Sequence, residues 1–377
     1  MASSRPFYLH PNLFRLVVAA LVVVALGATA TVPVDASDTH GQLRIGGKAR
    51  TYAVHVPAHP APAGGYPVVL AFHGGGLQGD AMRRLARLDG LADRRGFIVV
   101  YPDAVNGHWN DGRLSNRDPQ DDVAFVEALL DRLGREHRID AGRVYAAGMS
   151  GGALFAERLG CELSPRIAGI AAVAGTMAAD LATDCRPAHP VAALHINGTD
   201  DPIMPFDGGA VADVGGRGEG GAVLSAARTV GLWAEANGCR TAGTPHLLRV
   251  VAPLDPTQTV RTAHVDCPAA GPVMQLTVMG GGHAWPGAAP YARTAIVGRT
   301  SRQFDASVAI ADFFLALPVA RGRQPAPDAG PAPYESSAYL VSDAGVNGAV
   351  NGAMNGELSA ELNGQVSVYD VNAFQNM

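Results

Sequence analysis

Short apolar runs alternate along this chain with segments of helical periodicity, and the alternation restricts the possible folds more than any other feature. Buried strands separated by helices predict an α/β fold, with a mostly parallel sheet covered by helices on both faces. In such sheets the functional loops follow the carboxyl ends of the strands. The predicted strands are an opening hairpin in Gln42–Val56 and the runs Tyr66–Phe72, Phe97–Tyr101, Arg143–Ala147, Ile167–Val173, Val191–Ile196 and Pro272–Met279. The predicted helices are Asp80–Arg94, Asp121–Leu133 and Gly152–Leu159.

The loop after the strand Arg143–Ala147 has the pattern G-x-S-x-G around Ser150, with glycines at positions 148 and 152. Between a strand and a helix, this pattern is typical of a nucleophilic serine that a sharp turn lifts out of the sheet. A serine hydroxyl becomes a good nucleophile only when a neighbouring base takes its proton, so the pattern also predicts a histidine and an acid further along. The alternative is a glycine-rich packing turn with an idle serine.

Three histidines lie downstream of the loop that follows the run Val191–Ile196 and are candidates for the base: His246, His264 and His283. The first two lie in alternating, strand-like stretches and are predicted to be structural or surface residues. His283 lies in the loop GGGHAWPG, directly after the strand Pro272–Met279. A base belongs in such a loop, so we predict that His283 is the catalytic histidine.

The acid is expected in the loop after Val191–Ile196, which reads NGTDDP. Asp200 and Asp201 compete for the role, and Asp207 is a weaker third candidate. Such an acid must accept a hydrogen bond from the imidazole nitrogen that faces away from the serine. Spacing alone does not choose between the two neighbouring aspartates.

The loop after Tyr66–Phe72 begins with His73 and three glycines. Its backbone can approach a reacting carbonyl closely, so we predict that the amides of Gly75 and Gly151 form an oxyanion hole. His73 precedes the other groups in the sequence and is predicted to be structural.

The same glycines fit a dinucleotide-binding fingerprint, because Gly74-x-Gly76-x-x-Gly79 follows a strand and Asp103 ends the next one. The serine, histidine and acid would then all be coincidences. We therefore predict that the protein uses neither a cofactor nor a metal.

The beginning of the chain has the form of a secretory signal peptide over residues 1–30. Arg5 and Arg15 precede an apolar run of 12 residues, Leu16–Gly27. That is shorter than the roughly 20 residues of a membrane span, and a small-residue cleavage site ends at Ala30, with a second at Ala36. We expect a secreted protein that has no membrane segment once the signal is removed.

The remaining chain divides into one catalytic domain at 37–320, a Pro/Ala linker at 321–334 and a tail at 335–377 that is rich in Asn-Gly pairs. From residue 324 onwards the chain carries six acidic side chains and no Lys or Arg, so most of the formal net charge of -5 belongs to the tail. We expect a flexible tail, with a surface-attachment module as the alternative. A mildly acidic chain argues against a non-specific nucleic-acid binder, which needs a basic face.

The chain has four cysteines, at positions 161, 185, 239 and 267. Export to an oxidising compartment favours two disulfides, and four cysteines allow three connectivities, of which pairing in sequence order is the simplest. The chain has no C-x-x-C spacing of the kind that zinc sites use.

Six segments together resemble the secreted polyhydroxybutyrate-depolymerase-like and feruloyl esterases of the α/β-hydrolase class. They are HGGGLQGD (73–80), YPDAVNGHWNDGR (101–113), DDVAFVEALLDRL (121–133), RVYAAGMSGGALFAERLGCE (143–162), HINGTDDPIMPFDGG (195–209) and GGGHAWPG (280–287). The resemblance implies the α/β-hydrolase fold, Asp201 as the acid, and disulfides Cys161–Cys185 and Cys239–Cys267. Relatives commonly carry a larger residue where this chain has Gly151.

The resemblance implies a serine carboxylic-ester hydrolase with the triad Ser150, His283 and Asp201. The first expectation is feruloyl or acetyl esterase activity on plant polysaccharide. Trp285 and Trp109 border the site in the sequence and are candidates to stack on an aromatic acyl group; the alternative is rim or core packing, which is favoured for Trp109. The second is hydrolysis of poly(3-hydroxybutyrate), a related polyester or its oligomers. A non-catalytic surface-binding protein is the alternative from another class. The expected partner is an ester substrate, polymeric or not, and the sequence does not predict an oligomeric state.

Overall fold

The computed structural model describes residues 36–319, apart from residue 117, residues 214–219 and residues 269–270. The signal peptide, the Pro/Ala linker and the Asn-Gly tail that the sequence predicts lie outside the described residues. In the part of the chain that is described, no helix combines the length and apolar character needed to cross a membrane.

The secondary structure follows the predicted alternation of strands and helices. The strands are β1 (Ser37–Ile45), β2 (Lys48–Val56), β3 (Tyr66–Phe72), β4 (Ile98–Pro102), β5 (Ile139–Met149), β6 (Gly169–Val173), β7 (Ala192–Gly198), β8 (Gly209–Ala210), β9 (Ala222–Val223), β10 (Thr241–Ala242), β11 (His246–Leu247), β12 (Gln258–Val265) and β13 (Val273–Met279). The α-helices are α1 (Gly79–Ala86), α2 (Asp89–Arg95), α3 (Asp122–Glu136), α4 (Gly151–Glu162), α5 (Ala179–Ala182), α6 (Ala226–Ala236), α7 (Thr294–Val297) and α8 (Ala306–Leu315).

The main sheet has the strand order β1-β2-β4-β3-β5-β6-β7-β13-β12-β10, with β11 paired to β12. The six strands from β4 to β13 in this order are parallel, and the strands outside them pair antiparallel. The carboxyl ends of β3, β5, β7 and β13 therefore meet at one edge. A mostly parallel sheet with helices on both faces is what the alternation of strands and helices predicts, and it is the α/β-hydrolase architecture that the resemblance implies.

The core lies on both faces of the sheet because consecutive side chains of a strand point to opposite sides. In β3, Leu70 and Phe72 belong to one hydrophobic cluster, which helices α3, α4 and α6 cover. Val69 and Ala71 belong to the other cluster, which helices α1, α2 and α8 cover. All seven residues of β3 are buried, as expected for a central strand of a doubly covered sheet.

Two local predictions are confirmed in outline and corrected in detail. The opening hairpin forms, and Gly46 and Gly47 make its two-residue turn with φ values of 55° and 79°. Such positive φ values suit glycine and the twist of paired strands. The predicted helix Asp80–Arg94 is two helices, because Arg87 ends the first in a left-handed conformation with φ 49°.

Two disulfides join the cysteines of the described chain in sequence order. One links Cys161, near the end of α4, to Cys185, and the other links Cys239 to Cys267. These are the pairs that the resemblance implies. In the chain-entropy model, a disulfide that closes a loop of this length stabilises the folded protein by about 3–4 kcal/mol, because it restricts the unfolded chain.

Candidate active site

Ser150 lies at the turn between β5 and α4 in a backbone conformation that side-chain-bearing residues rarely adopt. Its φ is 57° and its ψ is -125°. Strain of this kind persists only where surrounding structure enforces it, and it is typical of functional sites. The serine itself is 7% exposed, so its side chain lies at the bottom of a recess.

The two flanking glycines of the pattern are required by space. A Cβ on Gly148 would collide with the carbonyl of Gly152, and a Cβ on Gly152 would collide with the carbonyls of Phe72 and His73. The turn can therefore be this tight only because α4 begins directly against β3 and β5. The G-x-S-x-G pattern is thus explained by packing around Ser150.

His283 and Asp201 form a buried pair on the loops that follow β13 and β7. The Nδ1 atom of His283 lies 2.8 Å from Oδ2 of Asp201, and both side chains are 2% exposed. The other carboxylate oxygen, Oδ1, accepts hydrogen bonds from the amides of Ile203 and Met204, each at 2.8 Å. The carboxylate is therefore fixed by its own loop and directs the imidazole ring.

The histidine loop is anchored along its backbone. The amide of His283 donates to the carbonyl of Val297 at 2.6 Å, and the Tyr291 hydroxyl donates to the carbonyl of His283 at 2.9 Å. The amide of Gly282 donates to the carbonyl of Arg299 at 2.8 Å. These contacts hold the ring on the side of Asp201.

The competing candidates lie elsewhere. Asp200 is exposed, and its Oδ1 atom accepts a hydrogen bond from the hydroxyl of Thr199. His246 is an exposed residue of β11, and His264 lies in β12 near the antiparallel edge of the sheet. Asp207 follows the same loop as Asp201 but is not part of the pair with His283.

The glycine loop after β3 passes over Ser150. A Cβ built on Gly74 would lie 3.4 Å from Cβ of Ser150, and one built on Gly151 would lie 3.6 Å from the amide nitrogen of Gly75. The backbones of positions 75 and 151 therefore lie side by side next to the serine. Two amide donors that bind one oxyanion must lie close together, as these two positions do.

His73 supports this loop from below. Its Nδ1 atom lies 2.8 Å from the carbonyl of Gly74, and its Nε2 atom accepts a hydrogen bond from the amide of Ala104 at 3.0 Å. Burial lowers the pKa of His73 to about 4, so the ring is neutral at pH 7. Asp103, the acid of the alternative dinucleotide fingerprint, instead accepts from the amide of Gly79 and from the hydroxyl of Thr51.

Ser150 and His283 line one cleft, and its remaining wall is apolar. The cleft, with its open mouth, encloses about 350 Å³. The residues that line it are Gly74, Leu77, Ala81, Leu85, Met149, Ser150, His283 and Tyr291.

The expectation that Trp109 and Trp285 stack on substrate is corrected by their burial, at 2% and 1% exposed. The Trp109 ring stacks on Phe155 with centroids 4.9 Å apart, and its Nε1 donates to the carbonyl of His73. Trp285 belongs to the core on the α8 side, where its Nε1 donates to the hydroxyl of Ser307. Both indoles support the loops of the site and neither lines the cleft.

The sequence did not predict the apolar residues that line the cleft in place of the two tryptophans. Leu77, Ala81 and Leu85 recur at intervals of four residues from the glycine loop into α1, and Tyr291 comes from the loop before α7. The spacing of the first three was visible as one face of a helix. Tyr291 had no signal, because its position depends on how an irregular loop returns to the site.

This arrangement is suited to acyl transfer, with a strained serine, a histidine oriented by a carboxylate, and backbone amides beside the serine. The chain has the α/β-hydrolase fold, and its relatives make it a carboxylic-ester hydrolase. A family sequence profile described as Esterase PHB depolymerase matches residues 50–264, and the chain belongs to this family.

Individual relatives agree with this classification. NocK of Nocardia uniformis subsp. tsuyamanensis, named as an esterase, is 34% identical over 290 residues, which are 74% of this chain and 83% of NocK. The bifunctional acetylxylan esterase/xylanase XynS20E of Neocallimastix patriciarum is 28% identical over 42% of this chain and 22% of that protein. Feruloyl esterase B of Piromyces equi is 31% identical over 38% of this chain and 27% of its own length.

Proposed function

We propose that this protein is a serine esterase with the triad Ser150, His283 and Asp201. The Ser150 hydroxyl attacks the ester carbonyl, and its proton passes to Nε2 of His283. Asp201 accepts the hydrogen bond from Nδ1 and stabilises the imidazolium that forms. The 2.8 Å contact between His283 and Asp201, on a ring that lines the same cleft as Ser150, is the observation that carries this proposal.

The oxyanion of each tetrahedral intermediate is held by the amides of Gly75 and Gly151 in this proposal. The alcohol leaves with the proton from His283, and an acyl group remains on Ser150. Water then attacks the acyl-enzyme with His283 as the base, and the acid is released. The chemistry needs no group beyond the protein and water.

The substrate we propose is an ester with a compact, uncharged acyl group. The cleft walls of Leu77, Leu85 and Met149 offer apolar contact and no charge partner. A feruloyl or acetyl ester of plant polysaccharide fits this wall, and relatives named as feruloyl and acetylxylan esterases support it. A polyhydroxybutyrate polyester is the second candidate, because the family profile is described by that activity.

We also propose that the protein is secreted and that residues 37–320 are its single catalytic domain. The signal-like residues 1–30 and two disulfides support export to an oxidising compartment. The cleavage point, after Ala30 or Ala36, leaves β1 intact in either case because that strand begins at Ser37.

An ester panel on the mature protein tests this proposal. We expect turnover of p-nitrophenyl acetate, and comparison of methyl ferulate with 3-hydroxybutyrate oligomers decides between the two substrates. Ser150→Ala should lose activity by roughly 10⁴-fold or more. Ser37→Ala, an exposed serine of β1, is the control. Equal rates for wild type and Ser150→Ala would contradict the serine mechanism and favour a non-catalytic binding protein.

The same panel should be run on protein without residues 321–377. If the tail has no role in substrate attachment, its deletion should leave every rate unchanged. Slower hydrolysis of insoluble polymer, with unchanged rates on soluble esters, would instead assign substrate attachment to the tail.

A further inference from the structure

A buried ion pair lies directly beside the proposed oxyanion hole. Asp111 is 1% exposed and Arg113 is 7% exposed. The guanidinium Nε and one terminal nitrogen of Arg113 contact the Asp111 carboxylate at 2.7–3.2 Å. A Cβ built on Gly151 would lie 3.8 Å from Oδ2 of Asp111 and 3.6 Å from the Gly75 amide nitrogen. The carboxylate and one proposed oxyanion donor therefore flank the same position.

The position of Asp111 is set by its neighbours in the chain. The Trp109 indole is stacked in the core, and the amide of Asn110 donates to the buried carboxylate of Asp122 at 2.6 Å. The carbonyl of Asn110 accepts from Arg158, a residue of α4. Removal of Arg113 would leave this frame in place and the Asp111 carboxylate where it is.

An uncompensated carboxylate here would oppose catalysis. The position lies at the N-terminus of α4, whose partial positive charge attracts anions and favours the oxyanion. A fixed negative charge beside the hole would repel the developing oxyanion. It would also offset the positive potential of the helix N-terminus. The effect is strong because buried charges are poorly screened.

We propose that Arg113 is a positioning residue that neutralises Asp111 and so keeps the oxyanion hole receptive to negative charge. This inference rests on the proposed esterase mechanism. Arg113 also donates to the carbonyl of Gly220 at 2.6 Å, which fixes its guanidinium beside Asp111. Neither Asp111 nor Arg113 is among the residues that line the cleft of Ser150 and His283, so we assign the pair no contact with the reacting atoms.

A double-mutant cycle on Arg113→Gln and Asp111→Asn tests the proposal with p-nitrophenyl acetate. Arg113→Gln should lower kcat by roughly tenfold or more with little change in KM, because the lost interaction is strongest in the transition state. The double variant should recover most of that loss, since the offending charge is gone. A double variant that is as slow as Arg113→Gln or slower overturns the proposal.

Asp111→Asn alone keeps the proposal testable if Arg113→Gln does not fold. It should retain wild-type kcat, and a loss of more than tenfold overturns the charge argument. Arg143→Gln with Asp140→Asn is the matched control, because that pair lies near the start of β5, the far end of the strand that leads to Ser150. Ser150→Ala in the same assay separates the two claims. If it retains activity, the proposed function is wrong and this inference falls with it, whereas an inactive Ser150→Ala with a double variant as slow as Arg113→Gln overturns this inference alone.

Discussion

Two buried pairs of a histidine and an acid include residues of, or just after, the neighbouring parallel strands β7 and β13. The two pairs differ in their hydrogen bonding and in their surroundings. His283 follows β13 and contacts Asp201 at 2.8 Å in a hydrogen bond. His195 lies inside β7, and its Nδ1 atom is 3.2 Å from Oε1 of Glu157 without the alignment of a hydrogen bond. The other carboxylate oxygen of Glu157, Oε2, accepts a hydrogen bond from the indole of Trp233.

The difference lies in what surrounds each pair. His283 stands beyond the carboxyl end of its strand, where it lines a cleft with Ser150. His195 and Glu157 are 0% exposed and lie within the core that α4 and α6 cover. An imidazole and a carboxylate therefore indicate catalysis only where a strand has ended and a nucleophile and a substrate can reach them.

The largest expected effect comes from truncating the open pair. His283→Ala should lower kcat by about 10⁴-fold, because Ser150 loses its base. The melting temperature should fall as well, because the ring is buried and its loss leaves the Asp201 carboxylate with its backbone donors Ile203 and Met204, so kcat is taken per folded molecule. Steady-state hydrolysis of p-nitrophenyl acetate measures the effect, and a variant that retains a tenth of the wild-type rate would refute the assignment of the base.

The acid of the open pair should have an effect nearly as large. Asp201→Asn should lower kcat by about 10³- to 10⁴-fold, because an amide neither holds the imidazole tautomer nor stabilises the imidazolium. Asp200→Asn is the control, because Asp200 is exposed. Within the described residues, its carboxylate accepts a hydrogen bond from the hydroxyl of Thr199 and is not paired with His283. If the two variants lose activity equally, the choice of Asp201 is wrong.

The class of fold was predictable because its determinants are local and repeated. A fully apolar run such as β3 is typical of a strand in a sheet that is covered on both faces, as parallel sheets are. The break at Arg87 was not predictable, because a left-handed residue within a helical pattern depends on how α1 and α2 each pack against strands β2 and β4. Local spacing cannot report such a tertiary choice.

The candidate site was predictable to the same depth. Ser150 and His283 occupy loops that the topology must bring together, so their sequence context was sufficient to propose them. The substrate wall was not predictable, because Trp109 and Trp285 are near the site in sequence but turn into the core. Which way a side chain faces on an irregular loop has no periodicity to reveal it.

The sealed pair should respond to truncation in stability alone. His195→Ala should lower the free energy of unfolding by about 3 kcal/mol, because it leaves a cavity and a buried carboxylate without its neighbour. Activity per folded molecule should stay within a few-fold of wild type. Denaturant unfolding and an active-site titration measure the two quantities, and a selective loss of kcat would erase the contrast between the pairs.

His73 extends the comparison to a buried histidine whose two ring nitrogens face a backbone carbonyl and a backbone amide. Burial lowers its pKa from 6.5 to about 4, so the unfolded chain binds a proton more readily than the folded one. Its contribution to stability is therefore complete above pH 6.5 and is lost as the pH falls from 6.5 towards 4. Between pH 7.5 and pH 5 this group should reduce the free energy of unfolding by about 2 kcal/mol.

His73→Gln isolates this contribution from those of other titrating groups. The variant should lose about 2 kcal/mol of the difference between denaturant unfolding at pH 7.5 and at pH 5, whatever its stability at either pH. His246→Gln, which removes an exposed histidine of β11, should leave the difference as it is in wild type. If His73→Gln also leaves it unchanged, the ring is protonated in the folded state near pH 5. The Ala104 amide, which needs the unprotonated Nε2 as its acceptor, would then have no partner in the folded loop.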